Sequence, residues 1–348
     1  MRTLRIVAPA ALATVLLAGP AAAKEFGYFH TNYAEAEKVA RKEGKPLYLH
    51  FTTTWCGWCR KIENEVYKVE GGKQALSDYV CATLDCTVPR GQKPSKEAAF
   101  NMALMRKYGG GGYPFLAMTN ADGILLHKVS GYRPLPKFKE ELVKSAAALK
   151  EVKKVEAELA ALPADSFERN QKALDFYSSK LAWEKAAKAA EALKKLDPKF
   201  KKANAALVHY ALLKGAPADT KEADRRILED QAVKHDPTNA AGYMERILMV
   251  RAQNHLRESR ATKEAKTKQA HLQKSLDALE LLIHKAKRFE DEANAFGFLG
   301  YVQTQLGNNQ AAIAALEKSI GLDPASRRSA YFKTLVERLK KPSSGGSK

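Results

Sequence analysis

Leu47-Tyr48-Leu49-His50-Phe51-Thr52, then Thr53-Thr54, then Trp55-Cys56-Gly57-Trp58-Cys59: how this stretch is read decides the fold. Leu47 to Thr52 is rich in aromatic and aliphatic residues, the composition of a strand. Helical periodicity begins at Cys56 and runs to about Lys68, so both cysteines sit where a strand hands over to a helix. At a helix N-terminus, two residues separated by two others come within disulfide reach, and the first sulfur faces unsatisfied backbone N–H groups. The positive end of the helix dipole favours a thiolate there, which lowers the expected pKa of Cys56. A thiolate is the attacking species in disulfide exchange, and Cys59, one turn deeper, can resolve the mixed disulfide. The same motif can also be a static disulfide or half of a zinc site. No second cysteine pair follows at ligand spacing, since four residues separate Cys81 from Cys86. No metal site is therefore read, and no cofactor is implied.

Around this stretch, short β-like runs alternate with helical ones. Residues 32–43 read as a helix ending at Gly44. Tyr79 to Asp85 reads as a second strand, and residues 95–107 as a helix stopped by the glycines 109–112. Phe115 to Thr119 and Ile124 to Val129 are expected strands, joined by the turn signal Asn120-Ala121-Asp122-Gly123. Pro136 can open a closing helix. The expectation is an α/β domain, a mixed sheet with helices on both faces, over residues 24–148.

The texture changes near residue 145, and residues 149–336 read as almost wholly helical, rich in Ala, Leu, Lys and Glu. Asp-Pro recurs at Asp197-Pro198, Asp236-Pro237 and Asp323-Pro324, each time after a helix-like run, as at the end of a helical hairpin. Phe296, Leu299, Gly300, Gly307, Ala312, Leu316, Leu322 and Pro324 fall at tetratricopeptide spacing. Residues 293–326 thus resemble one tetratricopeptide repeat, with Gln303 and Ser319 departing from it. Residues 167–200 match more weakly, and residues 241–288 look like helices of non-standard length. Such repeats present a concave protein-binding face. The tail, residues 337–348, ends in Ser-Ser-Gly-Gly-Ser-Lys, a flexible composition.

At the other end, Arg2 and Arg5 precede an apolar run from Ile6 to Gly19, and Ala21-Ala22-Ala23 follows. These are the parts of a secretory signal peptide, with cleavage expected after Ala23 and a periplasmic or secreted mature chain; the rival reading is an uncleaved membrane anchor, for which the run is short and holds Pro9. No later stretch is apolar enough to span a bilayer. The formal charge of +19 becomes +17 without Arg2 and Arg5. The lysines are interleaved with Glu along helices, the pattern of a solvated face, so no specific nucleic-acid partner is expected.

Residues 28–148 resemble the thioredoxin family, and in particular the secreted thioredoxin-like proteins that carry W-C-G-W-C. The resemblance rests on Glu43-Gly44-Lys45-Pro46 before the strand, the motif itself, and Arg60-Lys61-Ile62-Glu63-Asn64-Glu65-Val66 after it. It implies a thioredoxin fold, with Cys56 as nucleophile and Cys59 as resolving thiol. It implies that Pro114 is a cis-proline opposite the motif, turning the backbone of Tyr113 toward Cys56 to pair with an extended client. Trp55, Gly57, Trp58 and Tyr113 are then the expected substrate-binding residues. Two positions depart from thioredoxin itself: Gly57-Trp58 replaces Gly-Pro, and His50 stands where a buried carboxylate is usual. A neutral imidazole at His50 could accept the Cys59 proton, or His50 could be a hydrogen-bonded packing residue.

Cys81 and Cys86, on one extended strand, would lie roughly 16 Å apart at 3.3 Å per residue, beyond disulfide reach, and on opposite faces. Buried, reduced thiols are expected, with a second redox role for Cys86 the sharper alternative. The sequence therefore reads as an exported disulfide oxidoreductase. Its expected partners are protein clients, a redox partner that recharges the pair, and proteins bound by the helical repeats. A non-enzymatic adaptor on a thioredoxin scaffold is the alternative.

Overall fold

The computed structural model describes residues 26–217 and 219–341. The expected signal segment, residues 1–23, and the tail from residue 342 lie outside them. The chain divides into two compact units between Ala157 and Glu158.

The first unit is built on five strands: β1 (Phe29–His30), β2 (Leu47–Thr52), β3 (Val80–Asp85), β4 (Phe115–Thr119) and β5 (Leu125–Ser130). Their order is β1-β3-β2-β4-β5, with β1, β3 and β2 parallel and β4 and β5 antiparallel additions. This is the mixed sheet of the thioredoxin fold. All six residues of β2 are buried, as its largely apolar and aromatic composition suits in a central strand, and His50 and Thr52 are buried with them.

Register sorts the strand residues to two faces. His50 lies opposite Thr83 of β3 and Leu116 of β4. On this face Phe29 and Tyr48 pack with Tyr67 and Phe138, at ring separations of 4.8–6.4 Å. Tyr67 closes a helical run that begins as α2 (Gly57–Ile62) and widens into a π-helical segment, Glu63–Tyr67. Phe138 comes from the closing helix. On the other face Phe51 meets Phe115, beneath α1 (Tyr33–Glu43) and α4 (Lys96–Lys107).

Capping follows the sequence closely. Asn32 accepts the Glu35 N–H at the start of α1, and Gly44 ends it in the left-handed conformation. Two elements carry no sequence signal: β1 is two residues long, and α3 (Glu70–Ala75) contains two glycines. Tertiary packing sets α3 instead. A Cβ at Gly72 would stand 1.7 Å from the Val66 carbonyl oxygen, so only glycine lets α3 approach the π-helical segment.

The closing helix α5 runs from Leu135 to Ala161, through the border expected at residue 148. No glycine or proline stands between Pro136 and Pro163, and the Ala-, Lys- and Glu-rich sequence gives the helix no local reason to end.

The second unit is helical throughout: α6 (Phe167–Ser179), α7 (Trp183–Leu196), α8 (Ala205–Gly215), α9 (Glu222–Lys234), α10 (Tyr243–Ala261), α11 (Ala265–Lys285), α12 (Glu292–Leu306), α13 (Asn309–Leu322) and α14 (Arg327–Lys340). Sequential helices pack on one another. Helix α14 extends past the expected border at residue 336 and buries Leu335 and Val336. A Cβ on Gly300 would lie 2.6 Å from Leu316 Cγ, so α12 and α13 touch at that glycine. In the first two Asp-Pro turns the aspartate side chain itself closes the loop. Asp197 accepts the N–H groups of Lys201, Lys202 and Ala203 at 2.7–2.9 Å, and Asp236 those of Ala241, Tyr243 and Met244 at 2.9–3.1 Å. These amide contacts lower the Asp197 pKa. Among the described residues, no helix is long and apolar enough to cross a membrane.

Candidate active site

The loop leaving β2 turns at Thr53, whose carbonyl accepts the Cys56 N–H at 3.1 Å. Cys56 becomes the N-cap of α2: its Sγ accepts the Cys59 N–H at 3.1 Å, and its carbonyl the Arg60 N–H at 3.2 Å. The two cysteines are disulfide-bonded, with Cα atoms 5.2 Å apart. The sulfur of Cys56 thus already occupies the point where helix amides stabilise a thiolate once the bond opens. Arg60 donates to the Thr54 carbonyl at 2.9 Å and ties α2 back to the loop.

Burial differs sharply along the motif. Cys56 and Cys59 are 4% and 1% exposed, whereas Trp55 and Trp58 are 66% and 59% exposed. Two indoles left in water beside a shielded redox pair offer apolar area that a client chain can cover. Neither indole is loose. Trp55 stands edge-on to Tyr113 at 5.8 Å. Trp58 lies against Tyr132 at 5.8 Å, and the Lys61 ammonium sits over both rings at 5.5 and 4.9 Å. The Tyr132 hydroxyl donates to the Glu65 carboxylate, which Lys61 approaches to 3.8 Å. Tyr132 escaped the sequence reading, because it is remote in sequence and meets Trp58 only through the fold, and without it nothing assigns Lys61 and Glu65 to the site.

The Tyr113–Pro114 peptide is cis, as the resemblance implies for Pro114. Gly57 has open space at its Cβ position, the nearest atom being Arg60 Nη2 at 3.9 Å, so the backbone does not demand glycine there.

His50 is fully buried, and neither ring nitrogen has a hydrogen-bond partner among the described residues. Its nearest ring is Tyr67, at 5.2 Å. The expected packing hydrogen bond is therefore absent among the described residues: the imidazole instead stands edge-on to Tyr67, opposite Thr83 and Leu116 in the sheet. Burial pushes its pKa down to about 3, so the ring is neutral and holds an added proton only transiently.

Cys81 and Cys86 are both buried and form no disulfide. The Cys86 thiol donates to the Leu84 carbonyl at 3.7 Å, and burial pushes its pKa up to about 11. Cys86 thus stays a thiol beside the cis-proline loop, a poor nucleophile at neutral pH. A polar cleft of about 500 Å³ adjoins the base of the motif, lined by Thr53, Thr54, Arg60, Glu63, Thr83 and Asp85 among others.

Residues 33–146 match the family model of the thioredoxin-like domain. Among curated proteins, human spermatogenesis-associated protein 20 (Homo sapiens) is 31% identical over 81 residues, 23% of this chain and 10% of that one. An uncharacterized protein of Caenorhabditis elegans is 27% identical over 97 residues, 28% of this chain and 12% of that one. The chain spans about a tenth of the length of these relatives. Among solved structures, a DsbH oxidoreductase is 23% identical with a TM-score of 0.29, covering 43% of this chain and 94% of that one. A thioredoxin from Thermus thermophilus is 20% identical with a TM-score of 0.28, covering 34% and 88%. Residues 33–146 thus carry a thioredoxin-like domain.

Proposed function

We propose that this chain is an exported thiol–disulfide oxidoreductase working on protein clients. The observation that carries the reading is the Cys56–Cys59 pair at the start of α2, within a thioredoxin-like domain. In the reducing direction, the Cys56 thiolate attacks one sulfur of a client disulfide. The client S–S bond breaks as the mixed disulfide forms, and the departing sulfur takes a proton. The Cys59 thiolate then attacks Cys56 Sγ, closing the pair and releasing the second client sulfur, which is also protonated. The client gains two electrons and two protons, and the pair loses them. Run backwards, the same steps oxidise a dithiol, and a redox partner restores the pair after each turnover.

Trp55, Trp58 and the backbone of Tyr113 line the rim on which the client lies. His50 serves as a transient acceptor for the Cys59 proton. The helical unit, residues 158–341, binds the client or the redox partner, and residues 1–23 direct export. Insulin reduction with dithiothreitol as electron source tests the chemistry: turnover by the native chain that is absent from Cys56→Ser supports it. A chain with no turnover in either direction is the non-enzymatic adaptor. N-terminal sequencing of exported material tests the leader, with Lys24 as the expected first residue.

A further inference from the structure

We propose that α10 and α11 together hold a site for a divalent transition-metal ion, built from His255, Glu258 and His271. His255 and Glu258 lie three residues apart on one face of α10, and His271 reaches them from α11. One carboxylate oxygen, Glu258 Oε2, stands 2.9 Å from His255 Nδ1 and 3.0 Å from His271 Nδ1. The three candidate donor atoms all lie within 4.8 Å of one another. Ligands bonded to a tetrahedral ion at about 2.0–2.1 Å stand some 3.3 Å apart. Closing the set around an ion therefore takes shifts of a few tenths of an ångström at the two Glu258 contacts, which the more exposed Glu258 can supply, and up to about 1.5 Å at the longest separation, which the histidine side chains must supply.

The orientation of His271 is the second observation. Its Nδ1 is buried and has no hydrogen-bond partner among the described residues, although a carboxylate oxygen lies only 3.0 Å away. In a hydrogen bond the oxygen sits along the axis of the ring nitrogen. Two ligands of one ion instead both aim at the ion and stand off each other's axes. A histidine–carboxylate ion pair accounts for the His255 contact, which has hydrogen-bond geometry at 2.9 Å, but not for the His271 one.

Two imidazoles and a carboxylate suit Zn2+ or Cu2+, and three protein ligands leave a position for water on the exposed side. The scaffold is firm. Leu248 and Ala252 of α10 share a core with Leu276 and Leu279 of α11, and the Ser275 hydroxyl donates to the Ala252 carbonyl at 2.9 Å. The opposing charge is Arg226 of α9, whose Nη2 is 3.4 Å from His255 Nε2. With a metal on Nδ1, Nε2 carries the ring hydrogen, so Arg226 must turn toward Glu229 and Glu222, already 3.1 and 3.7 Å away.

The test is Zn2+ titration by calorimetry into the full chain, with the Cys56–Cys59 disulfide closed so that those thiols do not compete. One ion should bind per chain. Affinity should fall at least about tenfold, a loss seen even for outer-shell changes, in His271→Ala and in the more exposed Glu258→Gln. The control His209→Ala should bind as the native chain does. Arg226→Met should bind more tightly, and Co2+ should give visible absorption bands that His271→Ala loses. No uptake by the folded native chain overturns the proposal. So does unchanged affinity in a folded His255→Ala/His271→Ala double variant. Weaker binding by folded Arg226→Met would overturn coordination through Nδ1.

Discussion

His50 gives the sharpest test of how burial governs this site. Folding holds its imidazole neutral, with a pKa of about 3 against 6.5 in the unfolded chain. Between those values the unfolded chain binds a proton that the folded one does not. Stability therefore rises with pH across this window and falls as the solution is acidified. At 1.36 kcal/mol per pKa unit, going from pH 7.5 to pH 5 covers about 1.5 units of the window. His50 should then cost about 2 kcal/mol of stability at pH 5, and about 5 kcal/mol by pH 3. The perturbation is His50→Leu, which removes the titrating group and both unpartnered ring nitrogens. Urea unfolding of the native chain and of His50→Leu, at pH 7.5 and pH 5, isolates the residue, because the other titrating groups cancel between the two chains. The native chain should lose about 2 kcal/mol more than His50→Leu over this interval. At pH 7.5 the variant should be the equal of the native chain or better, since orphaned buried polar groups cost roughly 1–3 kcal/mol each. Equal losses in the two chains would refute the neutral, enclosed imidazole. A larger loss in His50→Leu would do the same.

Other expectations follow from single contacts. Cys56→Ser should abolish exchange with a model disulfide, and Cys59→Ser should accumulate client-linked mixed disulfides, visible on non-reducing gels; full activity in Cys56→Ser would refute the site. Gly72→Ala forces a Cβ against the Val66 carbonyl and should destabilise the first unit by about 1–3 kcal/mol or more, read as a lower thermal midpoint. Asp236→Ala orphans three N–H groups at the α9–α10 turn and should cost roughly 2–4 kcal/mol, whereas Asp323→Ala, at the later Asp-Pro, should cost less. Paired denaturation curves decide that comparison.

The redox motif, the strands around it, the capped helix α1 and the hairpin at Asn120–Gly123 were legible because their determinants are local. A strand-to-helix boundary, an Asn cap and a left-handed glycine each act within a few residues. The same locality explains what the sequence left unsaid. Strand β1 and helix α3 are too short and too irregular to show periodicity, and they exist because the sheet edge and the Val66 carbonyl receive them. The border expected near residue 148 rested on a change of composition, yet nothing in that composition stops a helix, so α5 continues to Ala161. For the site, spacing alone placed Cys56 and Cys59 at the start of a helix. Whether an aromatic beside them is exposed, and whether His50 is solvated, depends on what packs across the sheet. The fold buries His50 without a hydrogen-bond partner among the described residues, leaves both indoles in solvent, and brings Tyr132 and Tyr113 against them. The sequence determined which chemistry the chain can carry. Tertiary structure decided the environment of each group, because burial and long-range contacts are properties of the packed chain rather than of any local stretch.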